Sequence, residues 1–262
     1  MERVMRKFLV AAVVLLTLGV VRPVPAAAAA FVQKSPPDLS WSFDGPFGTY
    51  NQAALQRGFQ VYKEVCASCH SMDYLHYGDL SALGYSKAEI KAIASGYTVT
   101  AGPNKEGKMY KRPARPSDAF VAPFPNEEAA AATFNGVAPP DLSLMAAARD
   151  GGPNYIYAIL TGFNQKPPKG MFVPTGRYYN PYFPGGRIAM PPPLTANRVH
   201  YADGTKATLD QEARDVATFL MWASHPHLDQ RHQLGVKVMI FLFILAIVFF
   251  FAKRRAWKDV EH

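Results

Sequence analysis

Two cysteines and a histidine lie within five residues of one another in the stretch VCASCHSMDY, residues 65–74. Cys66 and Cys69 are the only cysteines of the chain, and His70 follows them directly. The spacing C-x-x-C-H is the attachment signal for c-type haem, in which both thiols add to the vinyl groups of the ring and the imidazole reaches the iron. We therefore predict one covalently attached haem c, held by Cys66 and Cys69, with His70 as an iron ligand.

A redox disulfide is the alternative chemistry for a C-x-x-C pair. Such pairs usually open a helix that follows a strand in a thioredoxin-like unit, whereas this pair closes a helix. The apolar stripe of that helix recurs at helical spacing and consists of Leu55, Phe59, Tyr62 and Cys66. Because no βαβ pattern surrounds the motif, the order of elements favours haem over a thiol–disulfide enzyme.

The opposite face of the iron requires a second ligand or an open pocket. Met190 stands in GGRIAMPPPL, where three prolines fix the backbone φ and hold an extended segment. A thioether on a stiff backbone suits a soft axial ligand of haem, but the same stretch is also typical of core packing. The histidines that remain as rival ligands are His200, His225 and His227.

The first thirty residues predict a secretory signal peptide. Arg3, Arg6 and Lys7 precede an apolar stretch over residues 8–21, and alanines up to residue 30 offer small-residue cleavage sites. An uncleaved anchor helix is the alternative, but the apolar stretch is short for a bilayer span. Residues 1–30 are therefore predicted to direct export of the rest of the chain.

A second apolar stretch, residues 234–252, predicts a transmembrane helix. At 1.5 Å per residue it would span roughly 28 Å, close to the thickness of the hydrocarbon core. Four basic residues follow it, namely Lys253, Arg254, Arg255 and Lys258. By the positive-inside rule they predict a cytoplasmic tail over residues 253–262. Residues 31–233 then form a periplasmic domain, tethered to the inner (cell) membrane by a single span.

The formal net charge of +8 belongs mostly to the two ends of the chain. The leader carries four basic residues and one acid, and the segment after residue 252 carries four basic residues and two acids. The exported body keeps only +3, so the basic pI reflects membrane topology and gives no indication of nucleic acid binding. Roughly 200 residues remain for one globular domain with long insertions.

Three helices are predicted in the body, separated by irregular segments. The first ends at Cys66, and the second covers about residues 153–160 with a proline in its first turn. Thr208 and Gln211 predict a capping box for the third helix. Prolines interrupt residues 98–126. Residues 163–193 form a long irregular run, a length that suits a loop wrapped around a cofactor.

Four stretches together resemble one family. They are RGFQVYKEVCASCHSMDY, APPDLSLMAAARDGGPNYIYAILTGF, YYNPYFPGGRIAMPPPL and DVATFLMWASHP, and they resemble cytochrome c1 of the bacterial type over residues 40–257. The expected fold class is mainly α, a c-type cytochrome core with long irregular insertions plus one C-terminal transmembrane helix. The resemblance implies that Met190 is the sixth ligand, that Arg149 pairs with a haem propionate and that Tyr155 lies near the haem. A surface turn in which Arg149 pairs with Asp150 is the alternative for that arginine.

The resemblance also implies a function. Cytochrome c1 is the haem c subunit of the cytochrome bc1 complex, beside cytochrome b. It takes single electrons from the Rieske iron–sulfur subunit and passes them to a soluble c-type cytochrome, and it makes no bonds of its own. Ligation by His and Met leaves no open site on the iron, which favours one-electron exchange. An independent membrane-tethered carrier and a haem-based ligand sensor remain as alternatives.

Overall fold

The computed structural model describes residues 31–258, so the predicted signal peptide lies outside the described residues. The fold is mainly helical, as predicted. Its α-helices are α1 (Gln52–Glu64), α2 (Lys87–Ser95), α3 (Glu127–Thr133), α4 (Met145–Ala148), α5 (Gly152–Thr161), α6 (Leu209–Ser224) and α7 (Leu228–Ala256). Short 3-10 helices occupy Cys66–Ser68, Tyr77–Leu83, Gly162–Asn164 and Pro184–Gly186. Two antiparallel strand pairs join β1 (Thr98–Ala101) to β2 (Tyr110–Pro113) and β3 (Tyr178–Tyr179) to β4 (Arg187–Ile188).

The crossing of α1 and α6 is the centre of the fold. Gly58 of α1 permits the close approach, since a Cβ at this position would collide with the carbonyl oxygen of Asp215 on α6. Beside this contact the ring of Phe219 lies 5.7 Å from the rings of both Phe59 and Tyr62. The apolar stripe predicted for the first helix therefore faces the core, and aromatic packing holds the two helices together.

The polar side of the same crossing is an ion-pair network. Arg57 donates from Nε to Asp215 at 2.8 Å and from Nη1 to Asp203 at 2.8 Å. Asp215 is almost fully buried, and its partners include Gln211, whose Nε2 donates to it at 2.9 Å. Thr208 accepts the Gln211 N–H at 3.1 Å and caps α6. The predicted capping box is thus half formed, because the Gln211 side chain binds Asp215 instead of returning to the cap.

The second predicted helix is also observed. Helix α5 covers Gly152–Thr161, with a proline in its first turn and Gly162 directly after its end. The proline-rich stretch of residues 98–126 contains β1 and β2 and no α-helix. Helix α2 was not predicted, although Ser86 and Glu89 form a complete capping box at its start.

The C-terminal helix begins earlier than the predicted span. Helix α7 starts at Leu228, after a break at His225–His227 that separates it from α6. It is long and apolar enough to cross a membrane, and none of its most apolar stretch is buried. Among its described residues only Leu228 is buried. The predicted limits of the span at residues 234 and 252 remain predictions.

Candidate haem-binding site

Helix α1 delivers the cysteine motif to the surface of the core. The helix ends at Glu64, and a 3-10 turn over Cys66–Ser68 follows. The N–H groups of Cys69 and His70 both donate to the carbonyl oxygen of Cys66, at 3.0 and 2.9 Å. Both cysteines are free, and each residue is half-buried. One tight turn therefore carries the two thiols and the imidazole that the motif requires.

The imidazole of His70 is held in a defined tautomer by its neighbour. Its Nδ1 lies 2.8 Å from the carbonyl oxygen of Pro140. Because a carbonyl can only accept, Nδ1 carries the hydrogen, and Nε2 keeps the lone pair that binds a metal. Burial lowers the pKa of His70, and the Pro140 carbonyl and Asp141 offset this only in part. The ring is therefore neutral, as an iron ligand must be.

Asp141 joins the chain around Pro140 to residues 70–75, which we call the His70 segment. Its Oδ2 accepts from the Ser71 hydroxyl and the Asp73 N–H, each at 2.8 Å, and its Oδ1 accepts the Ser143 N–H at 2.8 Å. Burial acts to raise the pKa of this carboxyl, but the hydrogen bonds outweigh burial and lower the pKa. Asp141 thus orients His70 through the Pro140 carbonyl.

The importance of Asp141 was missed from the sequence. The signal that could have found it is the stretch PPDLS, because an aspartate that bonds the backbone two residues ahead forms an Asx turn. Its partners Ser71 and Asp73 lie about seventy residues earlier in the chain, and nothing in the local pattern names them.

The state of the Cys66 thiol disfavours the thiol–disulfide alternative. Burial, followed by the neighbouring Cys69 thiol, raises the pKa of Cys66 to about 12. A neutral thiol is a poor nucleophile, whereas a disulfide-exchanging cysteine depends on a lowered pKa. The position of the motif after a helix rather than before one points in the same direction.

Met190 is carried by a separate irregular stretch, residues 189–199, which we call the Met190 segment. Met190 is half-buried and follows β4, with buried Ile188 and Leu194 on either side of it in the chain. Fully buried Asn180 ties this region to α5, since its Nδ2 donates to the Ile159 carbonyl at 2.7 Å. The irregular run is thus fixed to the core. The role of Met190 as second ligand remains a prediction.

Glu212 anchors the chain beyond Met190. This carboxylate is fully buried on α6, and its Oε1 accepts the Val199 N–H at 3.1 Å. No partner for Oε2 exists among residues 31–258. Burial raises the pKa of Glu212, and hydrogen bonds from the Val199 and Arg198 backbone act against this. Sequence analysis did not single out Glu212.

Arg149 and Tyr155 lie near each other at the junction of α4 and α5. Arg149 is exposed directly after α4, and Tyr155 is half-buried in α5. Burial raises the pKa of Tyr155, and the charge of Arg149 acts to lower it. Among residues 31–258 Arg149 forms no ion pair, with Asp150 or with any other acid. Their assignment to the cofactor remains a prediction.

The rival histidines have other surroundings. His200 and His227 are exposed, and His225 is half-buried at the end of α6. His225 lies between α6 and α7 and not on the Met190 segment, and its Nδ1 is buried without a partner among the described residues.

The donor set fits a c-type haem. Two free thiols and a neutral imidazole with an available Nε2 stand on one turn, and a half-buried thioether stands on a rigid proline segment. Thiols for covalent attachment with His and Met as axial ligands are the combination found in c-type cytochromes.

Comparisons with known proteins agree with this chemistry. The sequence matches the family model described as the Cytochrome C1 family over residues 41–260. It is 44% identical to cytochrome c1 of Rhodospirillum rubrum over 277 residues, which covers 100% of both chains. It is 47% identical over 245 residues to the cytochrome b/c1 of Bradyrhizobium diazoefficiens, covering 86% of this chain and only 36% of that longer protein. It is also 44% identical over 227 residues to the mitochondrial "Cytochrome b-c1 complex catalytic subunit" of Candida albicans, covering 87% of this chain and 79% of that protein. The resemblance drawn from the sequence is confirmed, and the chain belongs to the cytochrome c1 family.

Proposed function

We propose that this chain is the haem c electron-transfer subunit of a quinol–cytochrome c reductase (bc1) complex. In this role it receives single electrons from a Rieske iron–sulfur subunit and passes them to a soluble c-type cytochrome, with cytochrome b as a further partner. The observation that carries the proposal is the 2.8 Å contact between His70 Nδ1 and the Pro140 carbonyl, which leaves Nε2 available on the turn that bears both thiols. The names of the bacterial and fungal relatives support membership in such a complex.

Each site residue has a distinct task in this proposal. Cys66 and Cys69 hold one haem c covalently, His70 and Met190 bind its iron, and Arg149 and Tyr155 lie at its propionate side. When bound, haem c supplies one-electron exchange between Fe(III) and Fe(II). Two axial protein ligands leave no position for a substrate, so the chain performs no bond-making chemistry by itself.

The Met190 segment also shifts the equilibrium between Fe(III) and Fe(II) towards Fe(II). A thioether ligand opposite imidazole favours the ferrous state and raises the reduction potential. Ile188 and Leu194 are buried on either side of Met190 in the chain. Where such apolar side chains pack beside the cofactor, a dry surrounding disfavours the more highly charged ferric state.

The proposed topology is a single-pass protein of the inner (cell) membrane. The apolar side chains of α7 are exposed along its length, as lipid contact requires, and three basic residues occupy its last turn. Residues 31–233 then stand on the periplasmic side, and the tail over residues 253–262 is cytoplasmic.

The visible spectrum of the purified protein tests the ligand set. We expect a sharp low-spin α-band on reduction that carbon monoxide leaves unchanged. Met190→Ala should make the iron sensitive to carbon monoxide, whereas Met171→Ala, a half-buried methionine of the same irregular run, should not. A wild-type spectrum that shifts with carbon monoxide would favour the ligand sensor instead.

Purification from native membranes in mild detergent tests the partners. We expect cytochrome b and a Rieske subunit to copurify, and added quinol to reduce the haem of the complex. A chain that purifies alone in the same detergent would be an independent tethered carrier.

A further inference from the structure

The base of α7 is hydrogen-bonded to the loop that precedes α1. The hydroxyl of Tyr50 donates to the His225 carbonyl at 3.1 Å, and the Tyr50 N–H donates to Asp229 Oδ1 at 3.1 Å. His232 Nδ1 lies 2.7 Å from the Gly48 carbonyl, so this nitrogen carries the hydrogen. Burial, followed by the Asp229 charge, raises the pKa of Tyr50, and the hydroxyl therefore stays protonated and donates.

Little apolar packing supports this junction. Leu228 is the only described residue of α7 that is buried. An open cavity of about 610 Å³ lies beside the junction, with Phe43, Leu228 and His232 among its lining residues. Pro226 lacks the N–H that would continue the hydrogen-bond ladder of α6 into α7. The angle between α7 and the body therefore depends on the hydrogen bonds from Tyr50, Asp229 and His232.

The same loop leads directly to the cysteine motif. Ser42 fixes it internally, because the Ser42 carbonyl accepts the Thr49 N–H at 3.0 Å and the Ser42 hydroxyl accepts the Asn51 N–H at 3.2 Å. Asn51 caps α1, and α1 ends two residues before Cys66. A helix of thirteen residues is about 20 Å long, so a tilt of about 10° at its base displaces its far end by about 3.5 Å.

We propose that Tyr50, Asp229 and His232 are positioning residues that hold the haem-binding domain at one angle to the membrane helix. The contacts themselves are independent of electron transfer, but their purpose rests on the proposed function. They keep the cofactor at a constant height above the bilayer, where its electron donor meets it. We call the three side chains the junction clamp.

The first test measures the orientation of the haem in oriented bilayers. The full-length chain with its haem is reconstituted, and the ferric g-tensor is recorded by electron paramagnetic resonance against the membrane normal. The triple variant Tyr50→Phe, Asp229→Ala and His232→Ala should lose the single orientation and give a broad distribution. Its α-band and reduction potential should equal those of the wild type, which shows that the haem site is intact.

A matched triple variant controls for the removal of three polar groups. Tyr74→Phe, Gln230→Ala and Gln233→Ala remove polar groups from three exposed side chains outside the clamp and should keep the wild-type orientation. A single, equally narrow orientation in the clamp variant would overturn the proposal.

Hydrogen exchange provides a readout that requires neither haem nor the triple variant. In Asp229→Ala the Tyr50 amide loses its acceptor and should exchange at least about tenfold faster, a factor that corresponds to about 1.4 kcal/mol. Unchanged exchange at Tyr50 would overturn the clamp. A chain that shows the faster exchange but carries no haem would overturn the proposed function and leave the clamp in place.

Discussion

Asp141 and Glu212 perform the same task on the two segments that carry the candidate iron ligands, but their surroundings differ. Each carboxylate accepts backbone N–H groups and so fixes a segment without regular secondary structure. Asp141 uses both oxygens for three hydrogen bonds at 2.8 Å, and its pKa is lowered. Glu212 is fully buried with one oxygen unpaired among the described residues, and burial raises its pKa.

The difference indicates how each segment is stabilised. The His70 segment is fixed by charge-assisted hydrogen bonds, which need no cofactor. The Met190 segment depends on prolines and on buried apolar side chains such as Ile188 and Leu194. We therefore infer that the His70 segment is ordered before haem binds and that the Met190 segment gains more order from the haem.

Removal of the covalent attachment should have the largest effect. Cys66→Ser combined with Cys69→Ser should abolish haem that survives denaturation, because no thiol remains to bond the ring. Hydrogen exchange of this variant then compares the two segments. The amides of Asp73 and Ser143 should stay protected, whereas amides of residues 180–194 should lose protection.

Ser68→Ala is the matched control, since it lies between the two cysteines and leaves both thiols in place. Equal loss of protection in both segments of the double-serine variant would show that the His70 segment also depends on the cofactor.

Substitution of Met190, the proposed sixth ligand, should have the second-largest effect. Met190→Ala should lower the reduction potential by at least about 0.1 V, within the roughly 0.8 V range that axial ligands control. The reason is that the thioether which favours ferrous iron is lost. Redox titration of the α-band measures the potential. Met171→Ala should titrate like the wild type, and an unchanged potential in Met190→Ala would assign the ligand to another residue.

Asp141→Ala should destabilise the chain by about 3 kcal/mol, since three donors lose a charged acceptor. Thermal unfolding in detergent, followed through the haem absorbance, measures the change. Asp38→Ala removes an exposed aspartate and should change the stability by less than about 0.5 kcal/mol. Equal stability of the two variants would contradict the role of Asp141 in fixing the Pro140 carbonyl.

Sequence patterns predicted what is local in this fold. The stripe containing Leu55, Phe59 and Tyr62 has helical period, so α1 was predicted, although it ends at Glu64 and not at Cys66 as predicted. The second predicted helix, α5, had a proline and a glycine at its two ends. Family resemblance, rather than periodicity, supplied Arg149 and Tyr155.

Contacts between residues that are distant in sequence could not be predicted from such patterns. Asp141 binds residues that lie about seventy positions away, and only the folded chain shows the pairing. The Gln211 side chain donates through Nε2 to Asp215 and does not accept the Thr208 N–H, which would have completed the capping box. The burial of Glu212 likewise depends on how the segment after Met190 crosses α6, and no helical pattern contains that information.

The smallest predicted effect concerns the pH dependence at Glu212. Its pKa in the folded chain lies above its ordinary value of 4.5, so the folded state binds the proton more tightly than the unfolded state does. Stability contributed by the protonated form is therefore complete below pH 4.5 and is lost as the pH rises through the raised pKa.

Glu212→Gln removes this titration, retains an acceptor for the Val199 N–H and places a neutral amide where Oε2 lies unpaired. Unfolding midpoints measured between pH 4 and pH 7 should thus fall more in the wild type than in Glu212→Gln, whereas Glu128→Gln, at an exposed position, should follow the wild type. Parallel curves for all three chains would mean that Glu212 stays charged in the fold, and that the Met190 segment is stabilised by a carboxylate in the same way as the His70 segment.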